Sequence, residues 1–118
     1  LKAASYINYQ GDKLVNRFNA YSYWLLTKSM DSHHLARGRG GDLKSTLASI
    51  LIPTLVIGIK SDILCPLAEQ KFLEDHMPNA NLVAIDSMYG HDGFIIETAT
   101  ITAHLKTWLT KVVKTIEL

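Results

Sequence analysis

Two short apolar runs in the second half of the sequence constrain its fold more than any other feature. Residues 54–59 are apolar and rich in β-branched side chains without alternation, and residues 82–86 contain a second apolar run. Such runs are typical of strands that are buried on both faces of a parallel sheet. Pro66 is well placed at the first turn of a helix running to about His76, and Pro78 breaks that helix. A strand, helix, strand order is therefore predicted.

A further helix is predicted over residues 98–114, where apolar side chains recur on one stripe. Strands and helices that alternate with short links imply a parallel α/β sheet with right-handed crossovers. Two strands cannot bury both faces by themselves. We therefore expect this segment to form the closing edge of a larger sheet.

The first part of the sequence, up to about residue 36, is predicted to be helical because aromatic side chains recur at helical spacing. Gly11 weakens the first helix, and Asn19 is a candidate N-cap of a second one. Neither helix has a clean polar face, so both are expected to pack against protein on more than one side. After the glycines of residues 38–41, Asp42 is a candidate cap for a short helix to about residue 50.

Composition excludes several classes of protein. The 118 residues are 47% hydrophobic and 19% charged, which predicts a packed core. A formal net charge of +1 gives no reason to expect a nucleic acid or a membrane surface as partner. No apolar run approaches the roughly 20 residues of a membrane helix, and no signal pattern is present. A single cysteine, Cys65, suits a reducing compartment, so a cytoplasmic protein is expected.

Asp62 and His91 are the candidate catalytic residues, because each follows a predicted strand. The carboxyl ends of parallel strands open onto the same edge of a sheet, where doubly wound folds place their sites. A histidine can take a nucleophile's proton while a buried carboxylate holds its tautomer. The alternative is that Asp62 caps the following helix and His91 fills a loop, and spacing alone leaves both readings open.

The other polar candidates are weaker. Asp92 could bind a substrate amine, although capping of the next helical turn is favoured. No serine has glycines two residues before and after it, as a nucleophile elbow requires. Cys65 is a conceivable substitute, but a small buried apolar role is favoured. His33 and His34 diverge because they are adjacent, and no metal site is predicted.

An ordered set of segments resembles the C-terminal third of the homoserine O-acetyltransferases, which have the α/β-hydrolase fold. The most specific are Gly58-Ile59-Lys60-Ser61-Asp62 and Tyr89-Gly90-His91-Asp92-Gly93-Phe94. Others lie at residues 5–13, 17–18, 22–23, 26–31 and 37–40. The resemblance therefore implies a later part of a helical lid over residues 1–40 and a C-terminal core segment over 41–118.

The same resemblance implies an activity. Asp62 and His91 correspond to the acid and base of a catalytic triad whose serine this chain does not supply. Asp92 corresponds to the residue that contacts the amino group of homoserine. The implied reaction passes an acetyl group from acetyl-CoA, a substrate, through the serine to L-homoserine in methionine biosynthesis, without a cofactor. A homodimer through the lid helices is also implied.

The sequence departs from the family pattern at four positions: Asn19, Tyr21, His34 and Cys65. These departures leave open whether the donor is acetyl- or succinyl-CoA and whether the acceptor is homoserine or serine. Another α/β-hydrolase enzyme such as an esterase is an alternative. A non-catalytic fragment or interaction module is another, and the 118 residues alone are expected to be inactive.

Overall fold

The computed structural model describes residues 2–116, with side chains described as far as Lys114. The chain divides between Arg37 and Gly38 into two compact units. The prediction that residues 1–40 are part of a lid concerns a larger protein and stays a prediction.

The first unit contains two helices, α1 (Lys2–Arg17) and α2 (Ala20–Asp31). Gly11 lies inside α1 without interrupting it. The predicted cap at Asn19 is confirmed, because its side-chain oxygen accepts the backbone N–H of Tyr21 at 2.8 Å and satisfies a free donor of the first turn.

The expectation that α1 and α2 pack against protein on more than one side stays a prediction. Neither helix contains a buried residue. Tyr6, Tyr21 and Trp24 are among their large apolar side chains that remain at least half exposed.

The second unit alternates helices and strands. Its elements are α3 (Leu43–Ala48), β1 (Thr54–Ile59), α4 (Leu67–His76), β2 (Ala80–Ile85), a 3-10 turn (Gly90–Asp92), α5 (Gly93–Ile96) and α6 (Thr98–Ile116). Asp42 caps α3 as predicted, accepting the backbone N–H of Ser45 at 2.9 Å. Pro66 immediately precedes α4, so the predicted order of strand, helix, strand and helix is confirmed.

The two strands are parallel, and their register runs from Thr54 opposite Ala80 to Ile59 opposite Ile85. Within residues 2–116 each strand has a single neighbour, so the sheet has two strands. The fold is therefore mixed α/β. Because the strands end level with each other, the loops that follow Ile59 and Ile85 begin side by side.

The two strands do not bury both of their faces by themselves, as expected, and their burial within a larger sheet stays a prediction. In β1 only Val56, Gly58 and Ile59 are buried, and in β2 only Ala80 and Ile85 are. The pattern indicated strands of a larger sheet, whereas each strand here has one neighbour among the described residues. The last residue of each strand, Ile59 in β1 and Ile85 in β2, is buried next to the loops described below.

Gly58 shows how closely α4 approaches β1. A Cβ atom at this position would lie 2.7 Å from the Leu67 side chain and 3.2 Å from that of Gln70. The missing side chain therefore lets the first turns of α4 lie directly on the strand. No helix within residues 2–116 is long and apolar enough to cross a bilayer.

Candidate active site

Asp62 and His91 lie together at the carboxyl edge of the sheet. The Nδ1 atom of His91 is 2.8 Å from Oδ2 of Asp62. Asp62 follows β1 and His91 follows β2, and the level strand ends bring the two loops within reach of each other. Sequence reasoning predicted this placement. The catalytic roles of the two side chains stay a prediction.

The carboxylate of Asp62 serves two purposes at once. Its Oδ1 accepts the backbone N–H groups of Leu64 at 2.8 Å and Cys65 at 3.0 Å, while Oδ2 faces His91. The bond from the Cys65 N–H, with those from His91 and Leu64, holds the pKa of Asp62 below its ordinary value although burial opposes this. The carboxylate is therefore ionised at neutral pH, and it fixes both its own loop and the imidazole.

The imidazole of His91 is oriented but accessible. Its side chain is 40% exposed, whereas that of Asp62 is only 6% exposed. The Phe94 ring stands edge-on at 5.3 Å between ring centroids and supports the imidazole from the following helix. When Nδ1 donates to Asp62, Nε2 carries a lone pair and can accept a proton from a neighbouring group. This arrangement is that of a general base held by a buried acid.

Ser61 joins the two loops, and sequence reasoning did not identify it. Its hydroxyl donates to the carbonyl oxygen of Ser87 at 2.6 Å and accepts the backbone N–H of Gly90 at 3.1 Å. The side chain of Ser61, which immediately precedes Asp62, therefore holds the segment that carries His91. A short hydroxyl side chain next to a strand end often bonds to nearby backbone, but the sequence gives no sign of which backbone groups it reaches.

Two glycines allow the histidine loop to lie against the sheet. Gly90 has a φ of +58°, a left-handed conformation that L side chains rarely adopt. A Cβ on Gly93 would lie 3.0 Å from side-chain atoms of both Ile59 and Ser87. The glycines that bracket His91 are therefore required for the turn and for close packing, respectively.

Asp92 does not cap the next helix, which corrects the favoured sequence-based reading. It stands at the N-cap position of α5 but makes no side-chain capping hydrogen bond there. Its backbone is in the right-handed helical region, whereas an N-cap normally has extended dihedrals that aim its side chain at the free N–H groups. Its exposed carboxylate is therefore available for other contacts.

Cys65 is exposed, so the prediction of a small buried residue is wrong. The backbone N–H of Cys65 donates to the carboxylate of Asp62 and so holds the turn in which Cys65 lies. In this turn the Cys65 side chain faces solvent and not a core. Ligand atoms of Asp62, Cys65 and His91 lie within 4.8 Å of one another. The sequence predicted no metal site, yet the structure brings together three side chains of metal-binding type.

Comparison with known proteins shows what the chain is similar to. No protein-family model matches the chain. Curated relatives do match, and those described below are named homoserine O-acetyltransferase. The protein from Cyclobacterium marinum is 46% identical over 107 residues, which are 91% of this chain and 30% of that relative. The Trichormus variabilis protein is 52% identical over 99 residues, which are 84% of this chain and 27% of that relative.

The similarity extends to eukaryotes. The Saccharomyces cerevisiae homoserine O-acetyltransferase is 46% identical over 95 residues, which are 80% of this chain and 20% of that protein. The chain is thus a mixed α/β protein related to an acyltransferase family. Specifically, it resembles the homoserine O-acetyltransferases over most of its length, as predicted, and it spans less than a third of the relatives that it matches.

Proposed function

We propose that the protein carrying this chain transfers an acetyl group from acetyl-CoA to the hydroxyl of L-homoserine, a step of methionine biosynthesis. The observation that carries the proposal is the bond between His91 and Asp62 at 2.8 Å, in a chain so similar to homoserine O-acetyltransferases. An imidazole with an ionised carboxylate behind it is the part of an acyl-transfer site that moves protons.

In the proposed mechanism His91 acts twice, on a serine supplied by another part of the longer protein. Nε2 first accepts the serine proton as its oxygen attacks the thioester carbonyl, and the departing CoA sulfur takes that proton. Nε2 then accepts the proton of the homoserine hydroxyl, which attacks the acetyl-serine, and returns it to the serine oxygen. Asp62 stabilises the imidazolium formed in each half.

We assign Asp92 to recognition of the acceptor. Its carboxylate is exposed, adjoins His91 in sequence and makes no capping bond. The ammonium group of an amino acid is a fitting partner for such a carboxylate. In this assignment Asp92 places the homoserine hydroxyl near the imidazole but exchanges no proton.

The wider architecture belongs to the same proposal. We propose that residues 41–118 form the C-terminal part of an α/β-hydrolase fold and that residues 1–40 form the later part of its lid. The half-exposed apolar side chains of α1 and α2 support a role in which other surfaces cover them, including a second copy of the protein. A cytoplasmic enzyme that uses acetyl-CoA as substrate and needs no cofactor is consistent with this proposal.

The test is an acyl-transfer assay on the whole protein with acetyl- and succinyl-CoA as donors and homoserine and serine as acceptors. We expect transfer from acetyl-CoA to homoserine, its abolition in His91→Ala, and a loss of several orders of magnitude in Asp62→Asn. His104→Ala is the matched control, since this histidine is exposed on α6, and it should keep wild-type rates. Wild-type rates in His91→Ala, or preference for another donor or acceptor, would contradict the proposal.

A further inference from the structure

Three side chains of different chemistry converge beside the paired acid and histidine. Asp62, Cys65 and His91 each contribute one ligand atom to a group whose atoms lie within 4.8 Å of one another. A carboxylate oxygen, a thiolate sulfur and an imidazole nitrogen are all ligands that Zn²⁺ accepts in proteins. The group combines a buried acid with two more accessible side chains, so an ion can enter from solvent.

We propose that Asp62, Cys65 and His91 form a binding site for a divalent transition metal, with Zn²⁺ as the best match. The thiolate determines which class of metal ion the site prefers. Mg²⁺ and Ca²⁺ prefer oxygen ligands throughout, whereas a site of one sulfur, one nitrogen and one oxygen suits a cation of intermediate softness. Three protein ligands leave a fourth tetrahedral position for water.

The geometry requires a modest adjustment that falls mainly on Cys65. Zinc bonds of about 2.0–2.3 Å place tetrahedral ligand atoms roughly 3.3–3.7 Å apart, so the group must contract by about 1 Å. Asp62 is held by the bonds from the backbone N–H groups of Leu64 and Cys65 to its Oδ1 atom. The Cys65 side chain is exposed and can move its sulfur by rotation about χ1.

Binding changes the state of each ligand. Cys65 loses its thiol proton to solvent, and the metal takes lone pairs of the carboxylate and the imidazole. The site itself does not depend on the proposed function, but one consequence of it does. A metal ion bound to His91 would prevent the imidazole from accepting a proton during acyl transfer. The metal would then act as an inhibitor of acyl transfer and not as a cofactor.

The experiment titrates the purified full-length protein with Co²⁺, followed by displacement with Zn²⁺. Thiolate ligation of Co²⁺ gives a sulfur-to-metal charge-transfer absorption, so binding is read without any turnover. We expect one equivalent bound, the charge-transfer band, and its loss on adding Zn²⁺. In Cys65→Ser the band should vanish and Zn²⁺ should bind more than about tenfold more weakly, since even outer-shell partners contribute 10–100-fold.

Two further variants make the result specific. His91→Gln should also weaken Zn²⁺ binding, whereas the double variant His33→Gln/His34→Gln, which alters exposed histidines outside the cluster, should bind like the wild type. Circular dichroism should be unchanged in Cys65→Ser because the turn is held through backbone N–H groups. Absence of the band in the wild type, or equal Zn²⁺ affinity in Cys65→Ser, would overturn the site whether or not the protein transfers acetyl groups.

Discussion

The backbone N–H of Gly90 donates to the hydroxyl of Ser61 at 3.1 Å, which ties the turn that carries His91 to the end of β1. The same hydroxyl donates to the carbonyl of Ser87. Ser61 thus bonds to the chain on both sides of the residues that lead into the histidine turn. Both of these hydrogen bonds go to the backbone of the histidine turn, so we infer that Ser61 is a positioning residue.

We predict that Ser61→Ala lowers kcat for acyl transfer by about 10–100-fold, because small displacements of a catalytic group have effects of this size. KM should change little, since Ser61 is not proposed to contact substrate. Steady-state kinetics measure both constants. Ser61→Thr keeps the hydroxyl and should recover most of the rate, and a Thr variant as slow as the Ala variant would argue against the bridging role.

Asp92→Ala should separate the two halves of the proposed reaction. If Asp92 binds the acceptor's ammonium group, the variant should form the acetyl-enzyme at the wild-type rate but require much more homoserine, with KM raised at least about tenfold. Rapid-quench measurement of enzyme acetylation, beside steady-state kinetics, distinguishes the steps. Equal slowing of acetylation would instead assign Asp92 to the geometry of the histidine turn.

The same substitution should have opposite effects at two glycines. Gly90→Ala should destabilise the protein by about 1 kcal/mol, because residue 90 has φ of +58° and an L side chain is strained there. Gly11→Ala should instead stabilise α1 by about 1 kcal/mol, because Gly11 lies within a helix and nothing approaches its Cβ position. Chemical denaturation measures the first effect, and amide hydrogen exchange in α1 measures the second. A stabilising Gly90→Ala would show that the turn adopts another conformation.

Glu74 should make the stability of the second unit depend on pH in the acid range. Its carboxylate accepts the backbone N–H of Leu82 at 2.8 Å and pairs with Lys71 at 2.9 Å. The Leu82 bond, followed by that from Lys71, lowers the pKa of Glu74 below its ordinary value of 4.5. The stabilisation is therefore fully present above pH 4.5 and is lost as the pH falls through the lower, folded-state pKa.

Denaturation of the wild type and Glu74→Gln at several pH values tests this. The wild type should be the more stable protein at pH 7, and the difference should shrink as the pH drops below 4.5. Glu69→Gln, at an exposed glutamate in the first turn of the same helix, should change stability little. If the difference in stability between the wild type and Glu74→Gln increased toward low pH, the predicted direction of the pH dependence would be contradicted.

The sequence predicted the elements and the meeting of Asp62 with His91, because both follow from periodicity and from the geometry of parallel strands. It did not predict the bridge through Ser61, which depends on which carbonyl lies within reach of one hydroxyl. The exposure of Cys65 was also missed. Cysteine is often buried on average, but here the backbone bonds of its own turn decide which way it faces.

The apolar runs of β1 and β2 did not reveal how far each strand is buried among the described residues. An apolar run indicates that a strand is suited to a buried position. Its actual burial depends on which neighbouring segments are present. β1 and β2 have one neighbour each among the described residues, so several of their apolar side chains remain partly open. The same reasoning applies to α1 and α2.

In the loop after Asp62, the carboxylate accepts the backbone N–H groups of residues 64 and 65, so both bonds are independent of the side chains at these two positions. Substitution of the side chain at residue 64 or 65 therefore keeps the hydrogen bonds that hold the carboxylate of Asp62 beside His91. The two side chains beside Asp62 can therefore differ between proteins that keep the bond between Asp62 and His91.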